Sequence, residues 1–187
     1  LIIDNYNKGV KVTYQVYTPE EIEQNSSLGC VQLFYYPAET PNAKTAIVIP
    51  GNALTITSEM GEGGSTAYEL HKLGYAVFVL RYRTFLDLGD NAPLQDLARA
   101  VQLVTSLDEE LSIQTQDYAL VGYSSGGQLA GVFANKERGY GHYGVARPGV
   151  LLLGYSVVNF SEVKIAYQAF MDTGNYGWHY YCSSVAD

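Results

Sequence analysis

Tyr118-Ala-Leu-Val-Gly-Tyr-Ser-Ser-Gly-Gly-Gln-Leu-Ala-Gly-Val-Phe-Ala134 is the stretch whose reading decides the fold. Its first residues, 118–121, form a short apolar run with the length and make-up of a buried strand. The chain then turns through Gly122-Tyr123-Ser124-Ser125-Gly126, after which Leu129, Ala130, Val132 and Phe133 recur at helical spacing. A strand, a G-x-S-x-G turn and a helix, in that order, put Ser124 on a sharp corner with its hydroxyl pushed out above the sheet. Gly122 and Gly126 lack a Cβ, so neighbouring backbone can come close without a clash. The helix that starts there presents free N–H groups to negative charge, which suits an oxyanion. Ser124 is therefore the candidate nucleophile. The five-residue motif carries little by itself; the strand before it and the helix after it carry the inference.

Composition narrows the field. A chain of 187 residues, 47% of them hydrophobic and 16% charged, fits one globular domain covering residues 1–187. Lys plus Arg number 11 against 19 Asp plus Glu, a net charge of −8. That balance argues against nucleic acid, whose phosphates demand a basic face, and against an anionic membrane surface. No stretch approaches the apolar length of a membrane span, and no secretory leader is read in the sequence, which starts at Leu1. Cys30 and Cys182 are far apart and read as separate thiols, buried as small apolar side chains in a reducing, cytoplasmic compartment.

Outward from the central stretch, strands and helices alternate. Residues 10–17 and 30–36 alternate and are rich in Val, Tyr and Thr, as strands are, with a polar, turn-like segment over 18–28 between them. Thr45-Ala-Ile-Val-Ile49 and Tyr75-Ala-Val-Phe-Val-Leu80 are continuous apolar runs, expected of central strands covered on both faces. Residues 65–73 have helical spacing, with Ser65 as candidate N-cap and Gly74 just past the end. Pro93 is expected in the first turn of a second helix carrying Leu94, Leu97, Ala98, Val101 and Val104. Residues 149–153 make one more buried strand. This alternation calls for an α/β architecture, a mostly parallel sheet with helices on both faces.

The order Pro50-Gly51, Ser58-Glu59, Gly74-Tyr75-Ala76-Val77-Phe78, Tyr82-Arg83, Pro93-Leu94-Gln95-Asp96 and Gly122-Tyr123-Ser124-Ser125-Gly126-Gly127 resembles that of small alpha/beta-hydrolase esterases. The closest likeness is to the group related to bacterial carbohydrate-acyl and feruloyl esterases, dienelactone hydrolases and arylformamidases. It runs from about Val10 to Tyr155. It implies the three-layer alpha/beta-hydrolase fold and hydrolysis of a small carboxylic ester through an acyl-enzyme on Ser124, with no metal or organic cofactor. Where that group shows Gly-Gly-Gly or His-Gly-Gly after the third strand, this chain has Gly51-Asn52-Ala53.

A serine hydroxyl needs a base to take its proton and an oxyanion hole to hold the charge that follows. The elbow rule assigns one donor to the N–H of Ser125 and a second to the loop after the third strand, here Asn52 or Ala53. In this fold the acid and the histidine follow the nucleophile. His142 falls in a loop before the next strand, on the wrong side of the acid-bearing strand. Asp172 and His179 are in nominal order, but no strand separates them, and residues 156–187 resemble a helical cap or insert. The reading that follows is of a sequence that lacks the C-terminal strands. Two further strand–helix units, about 60 residues, would cover the apolar strand at 150–153 and bring the acid and base.

Other features carry less. Gly61-Glu-Gly-Gly-Ser65 lacks the Lys-Ser/Thr of a phosphate loop and reads as a turn leading into a helix. No metal-ligand spacing joins His71, His142 and His179. Arg81, Arg83 and Asp96 are expected to form a buried ion pair beneath the site. The aromatic clusters Tyr140, Tyr143 and Tyr176, Trp178, Tyr180, Tyr181 would line an acyl or sugar pocket, or else form a cap or the contact of a homodimer. Two other functions stay open at this point: an amidase or peptidase-like hydrolase on the same scaffold, and a catalytically inactive hydrolase-like binding protein.

Overall fold

A computed structural model describes residues 1–51, 57–84 and 91–156. Its centre is a six-stranded sheet: β1 (Thr13–Gln15), β2 (Gln32–Tyr36), β3 (Ala43–Ile49), β4 (Ala76–Arg81), β5 (Ile113–Tyr123) and β6 (Val150–Gly154), in the spatial order β1-β2-β4-β3-β5-β6. β1 pairs with β2 and β2 with β4 in antiparallel fashion; β4, β3, β5 and β6 run parallel. The expected mostly parallel sheet is therefore present. Its four parallel strands end at one edge, and the chain leaves them at Pro50-Gly51, Tyr82-Arg83, Ser124 and Tyr155.

The apolar runs of β3 and β4 have the predicted cause. Side chains alternate between faces, and each face has its own core. Ile47, Ile49, Phe78, Leu80 and Leu120 pack with Leu97, Val101, Leu129 and Phe133, from α4 (Ala92–Ser106) and α6 (Ser124–Phe133). Ala46, Val48, Val77, Val79 and Val121 pack on the other face with Ala67 and Leu70 of α3 (Ser65–Lys72). This is a three-layer arrangement. Pro93 lies in the first turn of α4 as expected, and Gly74 follows α3 with φ of 87°.

Several local expectations change. Residues 18–28 are not a turn. They hold α2 (Pro19–Gln24) and a 3₁₀ turn (Ser26–Cys30), and α2 is nucleated by a capping box between Thr18 and Glu21. A short α1 (Ile2–Asn7) precedes β1, and α5 (Asp108–Leu111) precedes β5. β5 begins five residues earlier than the apolar run, because Ile113 and Thr115 point inward between exposed Gln114 and Gln116. Ser65 does not cap α3. A π-helical turn (Glu59–Gly64) leads straight into that helix, and the Ser65 hydroxyl donates to the Gly61 carbonyl. Cys30 is exposed rather than buried. Among the described residues β6 is an edge strand with apolar side chains open to solvent, Val150 at 50% and Leu152 at 49%. No helix among the described residues is long and apolar enough to cross a membrane.

Candidate active site

The corner between β5 and α6 is the elbow expected from the sequence. Ser124 takes a left-handed backbone, φ 50°, which an L-residue adopts only under constraint. It is partly exposed, whereas Ser125 is fully buried. Tyr123 at the N-cap places no side-chain acceptor on the first-turn N–H groups of α6, so they stay available to an anion.

The glycines around Ser124 are dictated by close backbone approach. A Cβ on Gly122 would meet the carbonyl of Gly126 and the Cα of Gly127 at 2.6 Å. One on Gly126 would run into the carbonyls of Ile49 and Pro50. One on Gly51 would meet Tyr123 O at 2.5 Å, Ser124 Cβ at 2.8 Å and Ser125 N at 3.1 Å. The loop that leaves β3 is thereby seated directly on Ser124. The glycines supply the space.

Polar contacts brace this seat. The Gly51 N–H donates to Glu62 Oε2 at 2.6 Å, and the Tyr155 hydroxyl donates to Glu62 Oε1 at 2.6 Å. Ser58 N–H donates to the Gly51 carbonyl at 3.2 Å. Thr66 Oγ1 donates to the Tyr123 hydroxyl at 3.0 Å, and the rings of Tyr123 and Tyr155 lie 5.5 Å apart. The buried Tyr82 hydroxyl donates to the Pro50 carbonyl at 2.9 Å. Burial pushes the Tyr82 phenol well above its ordinary value, so it serves as a neutral donor.

Behind this layer lies the buried pair. Arg83 Nη2 reaches Asp96 Oδ1 at 2.8 Å, Arg83 N–H donates to Asp96 Oδ2 at 2.8 Å, and the Tyr17 hydroxyl donates to Asp96 Oδ1 at 2.7 Å. These bonds lock the start of α4 to the end of β4. Arg81 is not part of this pair, contrary to expectation; it meets Glu59 of the π-turn. The carboxyl of Glu59, which partial burial alone would raise, is held below its ordinary value by hydrogen bonds from Thr57 and Arg81.

Of the predicted site residues, the structure brings Ser124 and Ser125 together with Gly51, the residue before Asn52. Asn52, Ala53, Asp172 and His179 lie outside the described residues, as do Cys182 and all but Ser156 of the cap or insert expected over 156–187. His71 sits in the last turn of α3, near the edge where β4 begins, with Nε2 3.9 Å from Glu39. His142 lies in the loop after α6, its ring edge-on to Tyr143 at 4.9 Å. Neither histidine is on the loops around the elbow. Among the described residues no group of three His, Cys, Asp or Glu could hold a metal. Sequence reasoning missed Glu62 and Tyr155, whose meeting with Gly51 spans long stretches of chain.

The sheet order, the helices on both faces and the serine elbow at the C-terminal edge define an alpha/beta hydrolase fold. The model of the BD-FAE family matches residues 32–142, and the chain belongs to that family. An acetylxylan esterase from Xylanibacter ruminicola is 29% identical over 153 residues, which cover 81% of this chain and 30% of that protein. Among solved structures, MGS-M1, an alpha/beta hydrolase enzyme from a Medee basin deep-sea metagenome library, is 25% identical with a TM-score of 0.61, over 69% of this chain and 53% of its own. An acetyl ester-xyloside bifunctional hydrolase from Caldicellulosiruptor lactoaceticus shares the fold with a TM-score of 0.65 at 23% identity, over 80% of this chain and 58% of its own. This chain thus spans 30% of that relative's length and 53% and 58% of these two structures.

Proposed function

We propose that this chain carries the nucleophile of a carboxylic-ester hydrolase, which cleaves a small ester through an acyl-enzyme on Ser124. One observation carries the reading: the strained corner at Ser124, φ 50°, faces the loop after β3 so closely that a Cβ on Gly51 would stand 2.8 Å from the Ser124 Cβ and 3.1 Å from the following amide nitrogen. A nucleophile and the donors of an oxyanion hole must converge in this way. In the reaction, Ser124 Oγ attacks the acyl carbon and passes its proton to a base. The carbonyl oxygen becomes an oxyanion, held by the Ser125 N–H and by a donor from Asn52 or Ala53. Collapse expels the alcohol, which takes the proton back, and water then repeats the sequence to free the acid. The acid and base are not among the described residues, and Asp172 and His179 are only the weak candidates that this sequence offers. The similarity to an acetylxylan esterase supports a short acyl group on a sugar hydroxyl as the substrate class. A net charge of −8 supports a neutral small-molecule ester over a polyanion.

The test is labelling by a fluorophosphonate together with turnover of p-nitrophenyl acetate, each beside Ser124→Ala. Labelling and turnover that both vanish in the variant support the esterase. Labelling without ester turnover favours an amide substrate. No labelling favours a binding protein, or a chain without the base that activates Ser124.

A further inference from the structure

We infer that Glu62 is the positioning residue of the oxyanion loop, its carboxylate clamping the chain after β3 to the end of β6. The inference rests on the esterase reading of Ser124 and adds to it a residue with a defined task. Both carboxylate oxygens are used: Oε2 accepts from the Gly51 N–H and Oε1 from the Tyr155 hydroxyl, each at 2.6 Å. Hydrogen bonds to an ionised acceptor are the stronger kind, and both are short. The Gly51 carbonyl is held as well, by the Ser58 N–H at 3.2 Å. The two backbone groups of Gly51 are thus fixed from opposite sides by two residues of one short segment.

That segment is built to present Glu62. Its π-helical turn spans Glu59–Gly64, a geometry found mostly as single turns and frequently at functional sites. Ser58 Oγ accepts from the Glu62 N–H at 3.4 Å, and Gly63 leaves room for Val79, which a Cβ there would strike at 2.5 Å. The other arm, Tyr155, holds a left-handed backbone with φ 38° and rests its ring on Tyr123, the residue before the nucleophile. Glu62 therefore ties together the exits of β3, β5 and β6.

The chemical consequence is specific. With its N–H committed to Glu62, Gly51 does not serve the oxyanion, so the second donor must come from the residues directly after it. Asn52 is bonded to Gly51, so a shift of Gly51 is passed along the chain to it. A displacement of about 1 Å at such a donor costs about a hundredfold in rate. Glu62 has both oxygens engaged away from Ser124, so it acts through the loop and not on the substrate.

The experiment compares wild type, Glu62→Ala, Glu62→Gln and Tyr155→Phe for p-nitrophenyl acetate turnover, with Ser124→Ala as the blank. In parallel, hydrogen exchange at the Gly51 amide is followed by NMR. Glu62→Ala is expected to lower kcat about a hundredfold, the scale of one lost oxyanion donor, with KM within about threefold because ground-state binding is untouched. Glu62→Gln keeps an acceptor for Gly51 and a donor for Tyr155, so it should restore about tenfold of that loss. The Gly51 amide should be protected in wild type and exposed in Glu62→Ala. A Glu62→Ala enzyme that keeps kcat within about threefold of wild type, or a Gly51 amide equally protected in both, overturns the inference. If wild type itself neither turns over ester nor labels at Ser124, the esterase reading fails. The amide exchange then still decides the clamp. Should Glu62→Ala not fold, Glu62→Gln and Tyr155→Phe carry the comparison.

Discussion

Gly51 and Ser124 lie so close that no side chain fits between them: a Cβ on Gly51 would stand 2.8 Å from that of Ser124. Real Cβ atoms do not approach so closely, and the atoms on the Ser124 side belong to a taut corner that cannot retreat. Gly51→Ala should therefore push the chain after β3 off the elbow. The expected outcome is a loss of fluorophosphonate labelling, with about 1–3 kcal/mol of stability lost by urea denaturation. Labelling at the wild-type rate would show that the two segments are not coupled.

The backbone of Ser124 itself stores strain, since its φ of 50° disfavours any residue with a Cβ by about 1–2 kcal/mol. Ser124→Gly and Ser124→Ala both remove the hydroxyl, but only the first relieves the strain. Ser124→Gly should be the more stable of the two by about 1 kcal/mol in chemical denaturation, and both should be inactive. Equal stabilities would mean that the corner is not strained.

The pair formed by Arg83 and Asp96 is buried, with side chains 7% and 0% exposed, and is shared with the Tyr17 hydroxyl. Removing one partner leaves an uncompensated charge in the interior. Arg83→Met should cost about 3–5 kcal/mol, and the double variant Arg83→Met with Asp96→Leu should recover a large part of that. If Arg83→Met loses less than about 1 kcal/mol, solvent reaches Asp96 and the pair is of the weak surface kind.

Alkaline pH offers a test of the tyrosine-rich interior. Burial pushes the Tyr35 phenol up to about 12, with Tyr14 adding to the effect. Burial also raises Tyr17, where the Asp96 carboxylate adds to it, and Tyr118. Unfolded phenols ionise near about 10, so the folded state binds more protons in the window above that value. The stability these groups contribute is present in full below about pH 10 and is lost as pH rises through the folded values. Urea midpoints should hold steady from about pH 8 to 9.5 and then fall, with tyrosinate absorbance appearing together with unfolding. Tyrosines that titrate near pH 10 in a protein that stays folded would contradict the packing.

How far the sequence could be read depends on the kind of signal. β3 and β4 were legible because a strand covered on both faces is apolar at every position, and the elbow because three different local signals coincide there. The start of β5 was less so: Ile113-Gln-Thr-Gln116 alternates as a strand does, but it lies outside the apolar run. α2 carries its own signature in Thr18-Pro19-Glu20-Glu21, yet buries no residue, so no periodic stripe marks it. Charge pairing was the least legible. Arg81 and Arg83 are two residues apart and read alike, but the π-turn brings Glu59 to the first and α4 brings Asp96 to the second. The Glu62 clamp lay beyond local reasoning, since its partners are 11 and 93 residues away.

The most direct test of the whole account is the site of covalent labelling. After reaction with a fluorophosphonate, proteolysis and mass spectrometry should place the adduct on the peptide containing Ser124, with no adduct in Ser124→Ala. An adduct on Ser125, Ser156 or another serine, or one that persists in Ser124→Ala, would contradict it.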